Sequence, residues 1–574
     1  MYYLLSCENP HLHLIRIRFT CTHTGDAPLR VQLPAWRPGR YELANFAQNV
    51  KSFAVYNSAG QQLSFAKITK DCWEIKTRPS DKKVIIDYTY YANELNAGSS
   101  FLDETQLYVN PVNCLLYIPG RETEPCHLHL ELPGSYKVAT ALQSKGKHQF
   151  EAISYHELAD SPFIASRNLL SEQYTCHGTP FRLWFHGECR PDWKRLLHHF
   201  KLFTETHFRL FHHFPFRAYQ FLFQILPFPF YHGVEHAAST VIALGPGYDL
   251  MQEKYTDLLG ISSHELFHAW NVKSIRPAEM MPYDYSRENY SRLGYVTEGA
   301  TTYYGDVLLL RAGVFSLGNY LTELNQLLSR HFNNPGRLNL SVADSSFDTW
   351  LDGYKAGIPG RKSSIYVEGA LCAFMLDMRI RSYTRNRRSL DDVMRMLYQR
   401  FGKQQIGYTE ADFKAAAEEA AAKNLDDFFK KYIWGVHPFN AELKRCLHYL
   451  GLQLVVEKNP LFTEGVLGLK TTETAGKVVV SAVYPDSPAE RAGVTPQDEI
   501  IAMNGMQMEG NAHAWAQYFA ASQPLRLLLA TNKCIREVQV TPGKHVYYPV
   551  YRVVPQKKPT SEARINFKAW STCP

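Results

Sequence analysis

The chain has 574 residues, of which 45% are hydrophobic and 20% charged, and a formal net charge of +7. That length exceeds what one hydrophobic core supports, so three to five domains are expected. No apolar run approaches the roughly 20 residues that a membrane-spanning helix needs, and the charge is too small for this size to mark a nucleic-acid-binding protein.

The N-terminal "MYYLLSCENPHLHL" has no basic segment ahead of its apolar residues and breaks at Glu8, so no signal peptide is read there. Eleven cysteines, an odd number without CxxC pairs, argue against a disulfide framework. A cytoplasmic location is the expectation, with a periplasmic one left open.

Residues 1–165 read as an all-β region. "HLHLIRIRFTC", "FAVYN", "KKVIIDYTYYA" and "CHLHLELP" alternate or are β-branched, with Pro/Gly turns between them. "PAWRPGRYELANF", Pro34 to Phe46, reads as an irregular corner. Farther on, "AYQFLFQIL" and "STVIALG" read as strands, and "PFPFYHG" between them as a loop. Helical patterning then dominates from about 256 to 450. Ser389 and Thr409 each precede an acid by three residues, which marks two capping boxes. The basic cluster "RIRSYTRNRR", Arg379 to Arg388, reads as a solvated helix end. Short β-runs return after about 452, and the last thirty residues read as a loosely packed tail.

The chemical signal lies in "HELFHAWNVKSIRP", His264 to Pro277. Residues four apart share one face of a helix, so His264 and His268 can address one ion while Glu265 handles its water. A bland reading, an amphipathic helix that happens to carry two histidines, remains open on this motif alone. A catalytic zinc takes three protein ligands and keeps one open position. Glu298, in "LGYVTEGATTYYGD", stands among apolar residues where an unpaired carboxylate is costly, and a metal would relieve that cost. Glu288 and Glu279 are the next candidates.

"HELFHAWNVKSIRP" followed by "YVTEGATTYY" resembles the glycyl aminopeptidase family, PDZ-containing zinc metallopeptidases of the gluzincin group. "LPAWRPGRY" and "YVNPVNCLLYIPG" look like that family's N-terminal β-domain. "HGVEHAAST" and "SIYVEGALCAFMLDMRIR" look like two of its catalytic segments. "GKVVVSAVYPDSPAERAGVTPQDEIIAMNG" looks like a bacterial-type PDZ domain.

The resemblance implies a multidomain α+β protein: an N-terminal β-domain (1–165), a thermolysin-like catalytic domain (166–330), a helical domain completing the cleft (331–452), a PDZ-like domain (453–545) and a tail (546–574). It implies one Zn2+ per chain on His264, His268 and Glu298, and Glu265 as general base. Tyr366 would be the oxyanion donor and Glu235 the anchor for the substrate's α-amine, with Gly233 beside the substrate. The expected substrates are peptides with a free amino terminus and a small first residue, Gly or Ala. In the PDZ-like domain, Leu467, Gly468 and Leu469 form a candidate carboxylate-binding loop for a C-terminal peptide. The rivals are an endopeptidase on the same scaffold and a non-catalytic peptide-binding protein acting through its PDZ-like domain. Three departures from the family pattern stand out: His232 replaces the first glycine of a pair, Glu368 replaces a lysine, and Gln497 stands where glycine is common.

Overall fold

The computed structural model describes residues 1–23, 27–355, 357–520 and 523–572. It is a multidomain α+β fold that divides into two compact units. The first comprises Met1–Tyr320, Gly336–Glu442 and Arg564–Pro574, and the second Leu321–Pro335 and Leu443–Ala563. The segments expected as a β-domain, a catalytic domain and most of a helical domain thus fold together as one body. No helix among the described residues is long and apolar enough to cross a membrane.

The N-terminal strands alternate as their sequence requires. In Leu14–Thr22, Ile15, Ile17, Phe19 and Cys21 face the core while Arg16 and Arg18 face out. That strand lies inside a seven-stranded sheet, between Tyr2–Ser6 and Lys83–Tyr91. A second sheet of four strands and a third of three close over a shared core that includes Trp73, Val84, Ile86 and Leu128. The corner at 34–46 carries Trp36, fully buried, whose indole N–H donates to the Asp284 carbonyl at 2.8 Å. This fastens the loop that follows it.

The catalytic part is built on a five-stranded sheet: β1 (Leu170–Cys176), β2 (Thr179–His186), β3 (Tyr219–Ile225), β4 (Phe230–Glu235) and β5 (Ser239–Gly245), in the order β1-β2-β3-β5-β4. β3 and β5 are buried along nearly their whole length and read as continuous apolar runs, as parallel central strands should. β4 corrects the sequence reading. "PFPFYHG" was expected as a loop, yet from Phe230 the chain pairs antiparallel with β5 as the edge strand. Its Pro and Gly content masked a strand that exists because β5 offers a ladder.

Helices α1 (Trp193–Phe211), α2 (Tyr255–Phe267), α3 (Thr301–Arg311) and α4 (Val367–Thr384) complete this body. α1 is amphipathic, with Leu196, Phe200, Phe203 and Leu210 on its buried stripe. α2 and α4 are buried on nearly every side, polar residues included. Ser389 and Thr409 form the two capping boxes, with Asp392 and Asp412 as reciprocal partners. The basic cluster differs from the expectation in its first turn. Arg381 is 4% exposed and pairs with Asp377, and Arg379 pairs with Glu442 at 2.6 Å.

In the second unit, Leu452–Glu457 pairs with Val550–Pro555, and a sheet holding Leu469–Thr474 at its edge encloses Leu467, Val480, Ile500, Leu527 and Val540. Gln497 keeps the turn that glycine would favour, at φ +76°. Its N–H donates to Val480 at 2.8 Å, and the next residue, Asp498, is fully buried against Arg536 at 2.6 Å.

The last thirty residues are not a loose tail. The strand Val550–Pro555 is paired, and the helix Ser561–Ser571 carries Trp570, which is fully buried. Its indole donates to the Tyr303 hydroxyl at 2.9 Å, its carbonyl accepts from Arg311 at 2.9 Å, and Tyr303 donates in turn to Asp377 at 2.7 Å. Sequence hid this because one tryptophan in a basic segment carries no periodicity. Trp570→Ala should destabilise the first unit by about 3–5 kcal/mol. Thermal melting checks this, and an unshifted transition would place the helix outside the core.

Candidate active site

Two glycine contacts bring the functional helices together. α3 approaches α2 at Gly305, where a Cβ would lie 3.2 Å from that of His264, and the Ser263 hydroxyl donates to the Gly305 carbonyl at 2.7 Å. The turn before α3, Tyr295–Ala300, is π-helical and places Glu298 inward, 2% exposed. Such turns gather at functional sites because the extra residue re-aims a side chain. This turn crosses α4 at Gly299 and Gly369: a Cβ on Gly299 would lie 2.4 Å from the Gly369 Cα. Glu298 and Tyr366, at the start of α4, are thereby held on one side of the crossing.

The result is a tight cluster. His264 Nε2 and His268 Nε2 are 3.1 Å apart, and Glu298 Oε2 is 3.9 Å and 3.5 Å from them. Ligand atoms 2.0–2.1 Å from a tetrahedral zinc stand about 3.3 Å from one another. The three atoms fit such an ion. His268 Nδ1 lies 2.7 Å from the Asn271 carbonyl, and donating there leaves Nε2 free as a ligand. The Asn271 amide also donates to the Val296 carbonyl at 2.8 Å and to the Thr301 hydroxyl at 3.0 Å, which locks the end of α2 to the turn bearing Glu298. Asn271 stood within the motif, but its role depends on a partner 25 residues away.

Glu265 lies beside β4. A Cβ on Gly233 would sit 2.2 Å from Glu265 Oε1, so the absent side chain is the space that the carboxylate fills. Oε2 of Glu265 is buried without a hydrogen-bond partner. Glu235, two residues after Gly233 on the same strand face, reaches the same place: ligand atoms of Glu235, Glu265 and His268 lie within 4.8 Å of one another.

Three buried carboxylates this close strain one another. Burial, with Glu235 and Glu298 adding, pushes Glu265 up to about 8 against the pull of His268. Burial also raises Glu298. It opposes protonation of His268, but Glu298, Glu235 and Glu265 outweigh it and lift that imidazole to about 9. Glu235 is the exception. Burial works against its charge, yet Lys273 and His268 hold it below the usual carboxylate range. Lys273 has no exposed side-chain surface and pairs with Asp160 at 2.9 Å, while Asp160 also accepts from His236 and the Ala237 N–H. Excess negative charge, an orphaned carboxylate oxygen and a matched donor set all fit a divalent cation.

The N-terminal corner completes the site. A Cβ on Gly39 would lie 2.4 Å from Glu235 Oε2. The Tyr354 hydroxyl donates to the Gly39 carbonyl at 3.5 Å and accepts from the Tyr41 N–H at 3.4 Å. Tyr366 is partly buried, and burial with Glu298, Tyr354 and Tyr41 nearby keeps its hydroxyl protonated. Glu368 is buried in the first turn of α4.

The known proteins it resembles follow this geometry. The model of the peptidase M61 N-terminal domain matches residues 2–167, and that of the M61 glycyl aminopeptidase matches residues 257–372. The chain thus matches both domain models of the M61 peptidases. It is a metallopeptidase, and residues 479–531 match a PDZ domain. Among solved structures, an aminopeptidase N family protein from Idiomarina loihiensis is 26% identical over all of both chains, with a TM-score of 0.91. An M1 zinc metallopeptidase from Deinococcus radiodurans is 12% identical over 76% of this chain and 94% of its own, with a TM-score of 0.48. No curated protein matches the chain. Gly233 and Glu235 lie between the two matched stretches, so their assignment leans on geometry.

The candidate carboxylate loop of the PDZ domain is arranged otherwise than expected. The Leu467 and Gly468 N–H groups donate to the Phe462 and Glu464 carbonyls, at 3.4 and 3.1 Å, and Leu467 and Leu469 point into the core. A short helix, Phe462–Gly465, uses the donors that a peptide terminus would need. At the catalytic cluster, Gly233→Ala should displace the Glu265 carboxylate, the one group able to give way. Turnover should fall at least tenfold while bound metal stays stoichiometric. Metal content and kcat measured together check this, and full activity would show that Glu265 does not depend on that space.

Proposed function

We propose that this M61 peptidase is a zinc-dependent aminopeptidase that removes the first residue from peptides with a free amino terminus. The observation that carries this reading is the closeness of Glu235 to Glu265. Within one residue the α-nitrogen lies about 2.5 Å from its own carbonyl carbon. An ammonium held at Glu235, whose reach to Glu265 is within 4.8 Å, therefore presents the first peptide bond to the base and leaves no room for a residue before it.

His264, His268 and Glu298 are the proposed ligands of one ion per chain. When bound there, zinc supplies Lewis acidity to the peptide carbonyl and to the attacking water. Glu265 takes a proton from that water and passes it to the leaving amine, and its burial against Gly233 makes it a ready acceptor. The Tyr366 hydroxyl, which burial keeps protonated, donates to the oxyanion. Crowding by Gly39 against Glu235 supports a preference for Gly or Ala as first residue.

Glu265→Gln should retain zinc and lose nearly all turnover, and Tyr366→Phe should cut kcat about 10²–10³-fold. A zinc-loaded variant with normal kcat would remove that residue from the mechanism. Glu235 separates an aminopeptidase from an endopeptidase. N-acetylation should lower kcat/KM by two to four decades in the wild type, since it strands a buried carboxylate worth about 3–5 kcal/mol. Glu235→Ala should narrow that gap. Equal cleavage of acetylated and free peptides by the wild type would instead support an endopeptidase.

A further inference from the structure

Arg37 carries a charge that the proposed chemistry leaves unused. It is 5% exposed, and its guanidinium packs so closely on Gly98 that a Cβ there would lie 2.3 Å from Cζ. Its side-chain hydrogen bond is a long one, 3.4 Å, to the carbonyl of the adjacent Pro38. Among the described residues no carboxylate lies within ion-pairing distance of it. Arg40 differs: it pairs with Glu42 at 2.7 Å and lies over the Tyr354 ring, 4.6 Å from its centre. A guanidinium has five donors, and burying one without a counter-charge is costly.

The position of Arg37 says what would meet those donors. It forms part of the wall of a cavity of about 360 Å³, with Arg40, Asn93, Asn96 and Ser100 and with the acids Glu42 and Glu94, neither of which pairs with it. The loop that carries it runs past β4, touching Glu235 through Gly39. Burial, with Arg37 and Arg40 adding, pushes His232 down to about 3, and Glu235 is the charge that most favours ionised Arg37. Arg37 stands two residues before Gly39, which closes on the Glu235 carboxylate.

β4 is an edge strand, able to accept a peptide alongside it. A peptide with its ammonium at Glu235 and running antiparallel to β4 proceeds toward His232, three residues away, or about 10 Å. Two or three extended residues span roughly 7–10 Å. Their terminal carboxylate arrives beside Arg37. We propose that Arg37 is a specificity-determining residue that receives the C-terminal carboxylate of di- and tripeptide substrates. This rests on Glu235 being the amine anchor, and it explains a buried cation that forms no ion pair among the described residues.

The test compares kcat/KM for Ala-Ala and Ala-Ala-Ala with their C-terminal amides, and with Ala-Asp-amide, in zinc-loaded wild type, Arg37→Gln and Arg37→Lys. Free acids should exceed amides by about tenfold to a hundredfold, expressed in KM, as one charge-assisted contact supplies. Arg37→Gln should bring the ratio near one, and Arg37→Lys should keep part of it. The ratio is read within each preparation, so a partly folded variant does not disturb it, and the wild-type comparison needs no variant. Equal use of acids and amides overturns the proposal. So does a ratio that survives in Arg37→Gln, or an equal advantage for Ala-Asp-amide, which would move recognition to a side chain. Acetyl-Ala-Ala tells the two readings apart. If it is cleaved as well as Ala-Ala, the Glu235 anchor fails. If the free amine is needed but acid and amide are alike, Arg37 alone fails.

Discussion

The mutual repulsion of Glu235, Glu265 and Glu298 is the constraint on which the site depends. All three are at most 5% exposed, and two of them share a neighbourhood with His268 under 5 Å across. Left alone, such a group neutralises itself by binding protons, and the upward push on Glu265 and Glu298 is that tendency. A dication at the proposed ligands His264, His268 and Glu298 would answer it. Glu235 is stabilised separately, by Lys273 buried behind it and fixed by Asp160. One carboxylate is thus kept ionised by the protein while its neighbours are arranged for an ion, a division that suits an anchor beside a base.

The scaffold enforces this crowding with missing side chains. Gly233 makes room for Glu265, Gly299 and Gly369 let the turn of Glu298 cross α4, and Gly305 brings α3 onto α2. In each case a Cβ would meet another element at 3.2 Å or less. The N-terminal domain takes part in the same way. Gly39 closes on Glu235, and Tyr354 ties down residues 39–41 beside it. The β-domain is a wall of the cleft, which is why residues 1–320 form one body with the catalytic helices.

Much of this was legible in sequence because it is local. A helix fixes residues i and i+4 on one face, so His264, Glu265 and His268 declared themselves by spacing. Alternation in Leu14–Thr22 and the caps at Ser389 and Thr409 are equally local, and the structure has them. The apolar surroundings of Glu298 in the sequence marked it as a candidate, and resemblance added Tyr366 and Glu235 and the three domain types in order. What only the tertiary structure decided is whatever depends on a partner distant in the chain. β4 is a strand because β5 lies beside it. Trp570 is core because Tyr303 and Arg311 receive it. The donors at Leu467 and Gly468 are spent because a helical turn precedes them. Arg37 is a buried cation without an ion pair among the described residues because the loop that carries it folds against Gly98. Sequence spacing encodes contacts within a turn or a strand. Burial, and the charge balance that burial makes costly, exist only once the chain has closed on itself.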